Sequence, residues 1–407
     1  MDIINEYLQH MIETDASDIY FTVGVPASFR IEGIVTPYGD RSLGPEDTQS
    51  LAYSIMNDRQ KKKFEEEMEM NLAIYRPEYG RFRVNIFRQK SFVGVVIRQI
   101  KMSIKTIDDW GLPAIMKDIS MSKRGLVLVV GATGSGKSTT LAAMIDYRNS
   151  NQRGHIITIE DPIEFVHEDK KSIVDQREIG SDTSTFSSAL RVALRQDPDV
   201  ILVGEMRDFE TIETALTAAE TGHLVMSTLH TLNATETITR IISVFPPYHQ
   251  KQVRLQLSGV LKGVISQRLV PRADGMGRVP AVEVLVSTAR VRECIVEKDK
   301  TNEINDAISR GVTSYGMQSF DQSLMFLMKE ALVTYDEALK HCTNPDDFAL
   351  RVKGILAASD AGWEDFELLE KEKETVKERA KAEEKKLKAE KPADAKVNDR
   401  RGTGLKQ

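Results

Sequence analysis

The chain has 407 residues and a formal net charge of −6, and its length suggests two or three domains. The acidic balance and the lack of a basic stripe argue against a nucleic-acid-binding protein. The first residues lack the basic and apolar regions of a signal peptide, and no apolar run is long enough to cross a bilayer. Cys294 and Cys342 form no CxxC pair, so we expect reduced thiols and no cysteine zinc site. We therefore predict a soluble, cytoplasmic protein without a membrane span of its own.

The first hundred residues predict a small α+β domain. Its expected elements are a helix over 2–13, strands over 19–23 and 29–35, a helix over 45–67, and strands over 81–89 and 92–100. The Glu32-Gly33 pair has the composition of a hairpin turn. Residues 101–113 are predicted to form a linker to the next domain.

The second predicted domain covers residues 114–355, and its ordered core is expected to begin near Gly125. Its β-like runs are 126–130, 155–159, 200–203 and 224–227. Short, continuously apolar runs are typical of parallel strands covered on both faces. Because helical segments separate them, the pattern predicts a doubly wound α/β core. From residue 247 to 352 the pattern predicts mainly helices, and one helical segment includes the apolar residues from Val253 to Ile265.

The last segment, residues 356–407, differs in composition from the rest. Acidic and basic side chains dominate it, and its apolar residues form no sustained heptad. We expect a charged, partly helical tail that becomes disordered after Pro392. A coiled-coil docking segment is the alternative interpretation.

A phosphate-binding loop follows the first strand of the second domain. The residues Gly131-Ala132-Thr133-Gly134-Ser135-Gly136-Lys137-Ser138 fit the G-x-x-x-x-G-K-[ST] pattern, and Thr139 continues into the next helix. The glycines allow backbone N–H groups to approach phosphates, and the helix N-terminus adds positive potential. Lys137 would neutralise the β- and γ-phosphates, and the Ser138 hydroxyl would coordinate Mg²⁺. A chance glycine loop in an ordinary α/β protein is the alternative. The pattern therefore predicts Mg-ATP as the ligand.

Carboxylates follow two of the predicted parallel strands. Glu205 comes after the strand at 200–203, and we predict that it activates the water that attacks the γ-phosphate. Glu160 follows the strand at 155–159 and is a candidate for organising that water or the metal shell. A pair with Arg207 is the alternative for Glu205, and a turn-forming role is the alternative around Asp161 and Glu164.

Two histidines flank the predicted strand at 224–227. His230 is a candidate γ-phosphate sensor, and His223 is a second candidate at the other end of the strand. A purely structural role is the alternative for both.

Three arginines lie on two predicted strands of the first domain. Arg81 and Arg83 project from one strand face, and Arg98 lies in the next strand. Arginine suits phosphate recognition, so these residues could act on a nucleotide held by another subunit. A set of surface salt bridges is the alternative.

Taken in order, these motifs resemble the secretion-type ATPases that drive type IV pili, and within them the retraction branch, PilT and PilU. The matching segments are a Walker A loop at 131–141, an Asp box at 159–165, a Walker B segment at 194–205 and a His box at 220–230. Residues 80–84 resemble the family's N-domain arginine segment, and 317–322 a C-terminal signature. The resemblance covers about residues 1–350.

Within that branch the chain resembles PilU more than PilT. The Gly131-Ala132 opening and residues 143–149 favour PilU, and residues 289–292 depart from the retraction motif expected of PilT. An accessory motor is therefore implied rather than one that retracts pili alone.

The resemblance implies a RecA-like P-loop NTPase core with an N-terminal PAS-like α+β domain and a helical C-terminal region. It also implies a homo-hexameric ring in which ATP lies between protomers. Its implied partners are a PilT-type motor and a PilC-like platform protein, with the ring at the cytoplasmic side of the bacterial inner membrane.

Three alternatives remain open from the sequence. The nearest is an extension ATPase of type IV pili or type II secretion, whose members carry a tetracysteine zinc module that this sequence lacks. The others are a nucleic-acid motor with the same core and a nucleotide-gated regulatory subunit with little turnover.

Overall fold

The computed structural model describes residues 3–100 and 103–354. The predicted tail at 356–407 lies outside the described residues. The described residues divide into two compact units, of which the first comprises residues 3–100, 103–270 and 278–323 and the second residues 271–277 and 324–354. Both β-sheets below belong to the first unit. The domain boundaries expected from the sequence stay predictions.

The N-terminal part of the first unit is a six-stranded antiparallel sheet with three helices. Its elements are α1 (Ile3–Glu13), β1 (Asp18–Phe21), β2 (Ser28–Ile31), β3 (Ile34–Pro37), α2 (Pro45–Ser54), α3 (Asp58–Glu67), β4 (Glu69–Arg76), β5 (Gly80–Gln89) and β6 (Phe92–Ile100). The strand order is β3-β2-β1-β6-β5-β4. Ile31 pairs with Ile34, and Glu32 and Gly33 both have positive φ, as a two-residue hairpin turn requires. The predicted hairpin is confirmed.

The single helix predicted over 45–67 is wrong. The segment forms α2 and α3, because Asn57 starts a new helix. Its side chain accepts from the Gln60 backbone N–H, and the Gln60 side-chain oxygen accepts from the Asn57 backbone N–H. This reciprocal cap satisfies N–H groups that a continuous helix would have bonded internally. Strand β4 was missed, although Met70, Leu72 and Ile74 alternate on its buried face.

The remaining part of the first unit is built on a seven-stranded sheet. The elements that follow β6 in the chain are α4 (Ile115–Ser120), β7 (Gly125–Val130), α5 (Lys137–Asn151), β8 (His155–Glu160), β9 (Ile173–Glu178), α6 (Phe186–Ala193), β10 (Val200–Val203), α7 (Phe209–Glu220), β11 (Leu224–Leu229), α8 (Ala234–Ser243), α9 (Gln250–Val260), β12 (Leu261–Pro271), β13 (Arg278–Val286), α10 (Ala289–Val296), a 3₁₀ turn (Lys298–Glu303), α11 (Ile304–Arg310) and α12 (Val312–Tyr315). The second unit contains most of α13 (Phe320–Lys329), with α14 (Tyr335–His341) and α15 (Pro345–Val352).

The sheet order is β13-β12-β7-β11-β10-β8-β9. The strands from β12 to β9 pair in parallel. Strand β7 is buried on both faces, since Leu126, Leu128 and Val130 pack into one apolar cluster and Val127 and Val129 into another. Helices therefore cover both faces, and the doubly wound α/β core is confirmed.

The helical segment predicted through Ile265 is wrong at its C-terminal end. Helix α9 ends at Val260, and β12 continues from Leu261 beside β7. Gly263 favours the strand, because a Cβ there would lie 3.1 Å from the Leu285 carbonyl oxygen. The parallel ladder with β7 satisfies the buried backbone of this segment. Strands β9 and β13 were also missed.

Candidate nucleotide site

A cavity of about 660 Å³ lies at the C-terminal edge of the parallel strands. The register places Val130 level with Leu229, and Val203 level with Ile159, so the strand ends meet there. The predicted site residues that line it are Thr133, Gly134, Gly136, Lys137, Ser138, Thr139, Glu160, Glu205 and His230. Its volume suits a cofactor-sized ligand, and its place is where open α/β sheets bind ligands.

The phosphate loop is compact, and two of its glycines cannot be replaced without displacing neighbours. Gly131 has φ +148°, and a Cβ there would lie 2.4 Å from the Gln267 carbonyl oxygen and 2.6 Å from Ser135 Oγ. Gly136 has φ +91°, and its Cβ would lie 2.8 Å from Gln267 Nε2. The backbone therefore turns tightly between β7 and α5, and the first turn of α5 is presented to the cavity.

Gln267 supports the loop from strand β12, and no motif in the sequence points to it. Its Oε1 accepts a hydrogen bond of 2.7 Å from Thr140 Oγ1, and both groups are buried. The same residue approaches Gly131 and Gly136. The available signal was the polar pair Ser266-Gln267, which interrupts an apolar run.

The Lys137 ammonium lies inside the loop. Its Nζ donates to the carbonyl oxygens of Gly131 (2.9 Å) and Ala132 (3.1 Å). Burial lowers the pKa of Lys137, and the negative charge of Glu205 opposes that shift. A phosphate in the loop would meet a partly desolvated cation, whose attraction for an anion is stronger than in open water.

Glu205 lies between an arginine and a histidine at the end of β10. Its carboxylate lies 2.7 Å from Arg207 Nε and 3.5 Å from His230 Nε2. The strand end is fixed by a hydrogen bond from Thr228 Oγ1 to the Gly204 carbonyl oxygen (2.7 Å). The structure therefore brings Glu205 and His230 together from neighbouring strands, and the pair with Arg207 expected as the alternative is also present.

Glu160 reaches the same cavity from the end of β8. Burial raises the pKa of this carboxyl, and hydrogen bonds from the side chains of Thr158 and Gln176 oppose that shift. Asp161 and Glu164 also line the cavity. Two strand-end carboxylates therefore share one space with the phosphate loop.

The structure does not bring His223 to this cavity. It precedes Leu224 at the N-terminal end of β11, whereas the cavity lies beyond the C-terminal end, one strand length away. Its Nδ1 lies 3.0 Å from the Ala218 carbonyl oxygen. This contact fits the structural alternative, because it links the strand to the end of helix α7.

The three arginines of the N-terminal sheet do not line the cavity either. Arg81 forms an ion pair with Glu178 (3.0 Å), and Arg98 forms one with Asp18 (2.7 Å). Arg83 is paired with Arg98 in the strand register, and in the part of the chain that the structure describes it makes no hydrogen bond or ion pair. The salt-bridge alternative therefore fits Arg81 and Arg98, and leaves Arg83 available.

A family model for type II/IV secretion system proteins matches residues 1–319. The chain belongs to this family. It is 45% identical to the type IV pilus ATPase PilU of Pseudomonas aeruginosa over 354 residues, which are 87% of this chain and 92% of that protein. It is 47% identical to the type IV pilus retraction ATPase PilT of the same bacterium over 345 residues, 85% of this chain and 99% of that one.

A solved structure of the pilus retraction motor PilT with bound ADP is also similar. It matches with a TM-score of 0.79 at 45% identity, over 84% of this chain and 97% of that one. The predicted resemblance to the PilT/PilU ATPases is confirmed, as is the P-loop ATPase core with an N-terminal domain. The present chain is therefore an ATPase that binds nucleotide.

The identities of 45% to PilU and 47% to PilT are too similar to assign the chain to one of the two branches.

Within residues 3–100 and 103–354, the His, Cys, Asp and Glu side chains form no cluster of three arranged to hold a metal ion. Among those same residues, every helix is too short or too polar to cross a bilayer.

Proposed function

We propose that this ATPase powers the retraction of type IV pili, and with it twitching motility, as a PilU-like accessory to a PilT-type motor. The observation that supports this proposal most strongly is that residues of an intact phosphate loop line the same cavity as Glu205 and Glu160. The printed names of the PilU and PilT relatives support pilus work. The departure at Ala289-Arg290-Val291-Arg292 supports the accessory role.

The proposed reaction is attack of water on the γ-phosphate of ATP, with ADP as leaving group. Glu205 accepts the proton of that water, because it lines the same cavity as the loop and its charge acts on Lys137. Glu160 organises the water or the metal's coordination. His230, 3.5 Å from Glu205, is placed to report whether the γ-phosphate is present.

Magnesium suits the oxygen donors of this cavity. The Ser138 hydroxyl and the strand-end carboxylates are hard ligands of the kind Mg²⁺ prefers, and Mg²⁺ commonly uses only one or two protein groups together with substrate phosphates. We assign Ser138 as its protein ligand. When bound, the ion neutralises charge on the β- and γ-phosphates.

The motor form that we propose is a cytoplasmic homo-hexamer. It would dock peripherally on a PilC-like platform protein in the bacterial inner membrane, and it would not bind nucleic acid. Arg83 is the favoured residue for action on a neighbour's nucleotide, because Arg81 and Arg98 are occupied by Glu178 and Asp18. An unpaired guanidinium can bind a phosphate without first breaking an ion pair.

Arg83→Ala is expected to lower turnover at least about tenfold, since removal of one charged donor to a transition state commonly costs more than that. Mixing Arg83→Ala subunits with inactive Lys137→Ala subunits should restore part of the activity, because some interfaces then combine an intact loop with an intact Arg83. Steady-state phosphate release from mixed rings measures this. Arg88→Ala is the matched control, since Arg88 lies on the same strand and pairs with Glu65. Absence of recovery at every mixing ratio would count against shared sites.

Deletion of this gene in its piliated host is expected to leave surface pili assembled while twitching weakens. Restoring the wild-type chain should recover twitching only when a PilT-type motor is also present. Pilus counts by electron microscopy and colony spreading on agar measure the two properties. Loss of surface pili on deletion would instead favour the extension ATPase, and turnover stimulated by nucleic acid would favour the nucleic-acid motor.

A further inference from the structure

One oxygen of the Glu160 carboxylate is held by two donors from neighbouring strands. Thr158 Oγ1 donates to Glu160 Oε1 at 2.6 Å, and Gln176 Nε2 donates to the same oxygen at 3.1 Å. Thr158 and Gln176 are register partners in the parallel β8–β9 pair. Since residues two apart share a strand face, the three side chains meet on one face of the sheet.

Both the nitrogen and the oxygen of the Gln176 amide are hydrogen-bonded. Its Nε2 also donates to the Phe165 carbonyl oxygen (2.9 Å), and its Oε1 accepts from the His167 backbone N–H (2.7 Å). Both Phe165 and His167 line the nucleotide cavity. One amide thus binds both the Glu160 carboxylate and the backbone at Phe165 and His167. These hydrogen bonds limit the movement of the carboxylate relative to that part of the cavity wall.

The donors also act on the charge of Glu160. Burial raises the pKa of this carboxyl, whereas the Thr158 and Gln176 hydrogen bonds and the Glu164 backbone N–H lower it. A hydrogen bond to an ionised group favours the ionised form. Thr158 itself is fully buried, so solvent does not contact its hydroxyl in this structure.

We propose that Thr158 and Gln176 are positioning residues that hold Glu160 as an oriented carboxylate for ATP turnover. This inference rests on the role given to Glu160 under the proposed function. Neither side chain hydrogen-bonds the phosphate loop in the part of the chain that the structure describes. The effect of Thr158 on catalysis therefore passes through Glu160, whereas Gln176 also holds the backbone beside it.

The test is Thr158→Val, which keeps the side-chain shape and removes the hydroxyl. In the assembled full-length chain, kcat should fall about tenfold or more, the scale of a lost hydrogen bond to a charged group, while the Kd for Mg-ATP changes less than about twofold. Thr158→Ser keeps the hydroxyl and should retain most of kcat. Gln176→Leu should lower kcat in the same direction. Thr211→Val is the control, because Thr211 is equally buried and its hydroxyl also donates to a carboxylate, that of Asp208, the N-cap residue of α7.

A double variant separates this inference from the function on which it rests. If Thr158 acts through Glu160, adding Thr158→Val to Glu160→Gln should lower kcat no further. Wild-type turnover in Thr158→Val, with loss in Glu160→Gln, would overturn the inference alone. Wild-type turnover in Glu160→Gln would instead overturn the role of Glu160. Equal losses in Thr158→Val and Thr158→Ser, with lowered melting temperatures, would assign Thr158 a structural role and overturn the proposal.

Discussion

Replacing Lys137 with alanine is expected to abolish ATP turnover and to weaken nucleotide binding. Its ammonium is the charge inside the phosphate loop, hydrogen-bonded to the Gly131 and Ala132 carbonyls. Burial has already removed part of its hydration, as the lowered pKa indicates. Bound phosphates would therefore lose a strong, preorganised interaction, and we expect kcat to fall at least about 10²–10³-fold.

Phosphate release and equilibrium binding of a fluorescent ATP analogue measure the Lys137 effect. Lys123→Ala is the matched control, because Lys123 is exposed just before β7 and does not line the cavity. Thermal melting should show that Lys137→Ala remains folded, since the lysine's hydrogen bonds go only to backbone carbonyls of its own loop. Turnover near the wild-type rate in Lys137→Ala would contradict the assigned phosphate site.

Glu205→Gln is expected to remove turnover while ATP still binds. The substitution keeps the shape of the side chain and removes the base that would accept a proton from water. General-base catalysis commonly contributes about 10²–10⁴-fold, so kcat should fall by that factor. Binding should persist, because Lys137 and the loop amides are untouched. The change should not unfold the protein, since its ion-pair partner Arg207 has 71% of its side chain exposed and can be solvated.

Single-turnover hydrolysis measures whether Glu205→Gln loses turnover, and an equilibrium binding assay measures whether it still binds ATP. Glu213→Gln is the matched control, because Glu213 is an exposed carboxylate on α7 outside the cavity. A Glu205→Gln chain that hydrolyses ATP at the wild-type rate would remove Glu205 from the mechanism. A chain that no longer binds ATP would point to a role in holding the nucleotide.

Local, contiguous signals in the sequence were sufficient for the phosphate loop. The apolar strand, the glycine spacing and the following helix are adjacent in the chain, so β7 and α5 could be predicted together with Lys137 and Ser138. The ends of β8, β10 and β11 could be predicted in the same way. Parallel strands place their carboxyl ends at one edge, which is why Glu160, Glu205 and His230 meet.

Features that depend on distant parts of the chain could not be predicted in this way. Gln267, which supports the loop, lies 127 positions after its hydrogen-bond partner Thr140. Gln176 reaches Glu160 from an edge strand whose apolar pattern is weak. The helix-to-strand change at Val260 depends on pairing with β7, which no local pattern reports. His223 was grouped with His230 because they are close in sequence, although a strand separates them in space.

The ion pairs of the arginines also depend on residues that are distant in the sequence. Alternation along β5 correctly placed Arg81 and Arg83 on one face. It could not reveal that Glu178, from the other sheet of the same chain, pairs with Arg81 and leaves Arg83 free of a partner among the described residues.

We infer that one cavity binds the triphosphate and directs a carboxylate towards the attacking water. A structure of the assembled chain with Mg²⁺ and a non-hydrolysable ATP analogue measures this most directly. We predict β- and γ-phosphates against the amides of residues 131–139, with Lys137 on the phosphates and Glu205 facing the γ-phosphate. A nucleotide bound elsewhere on the protein, or a loop that stays empty at saturating analogue, would contradict the claim.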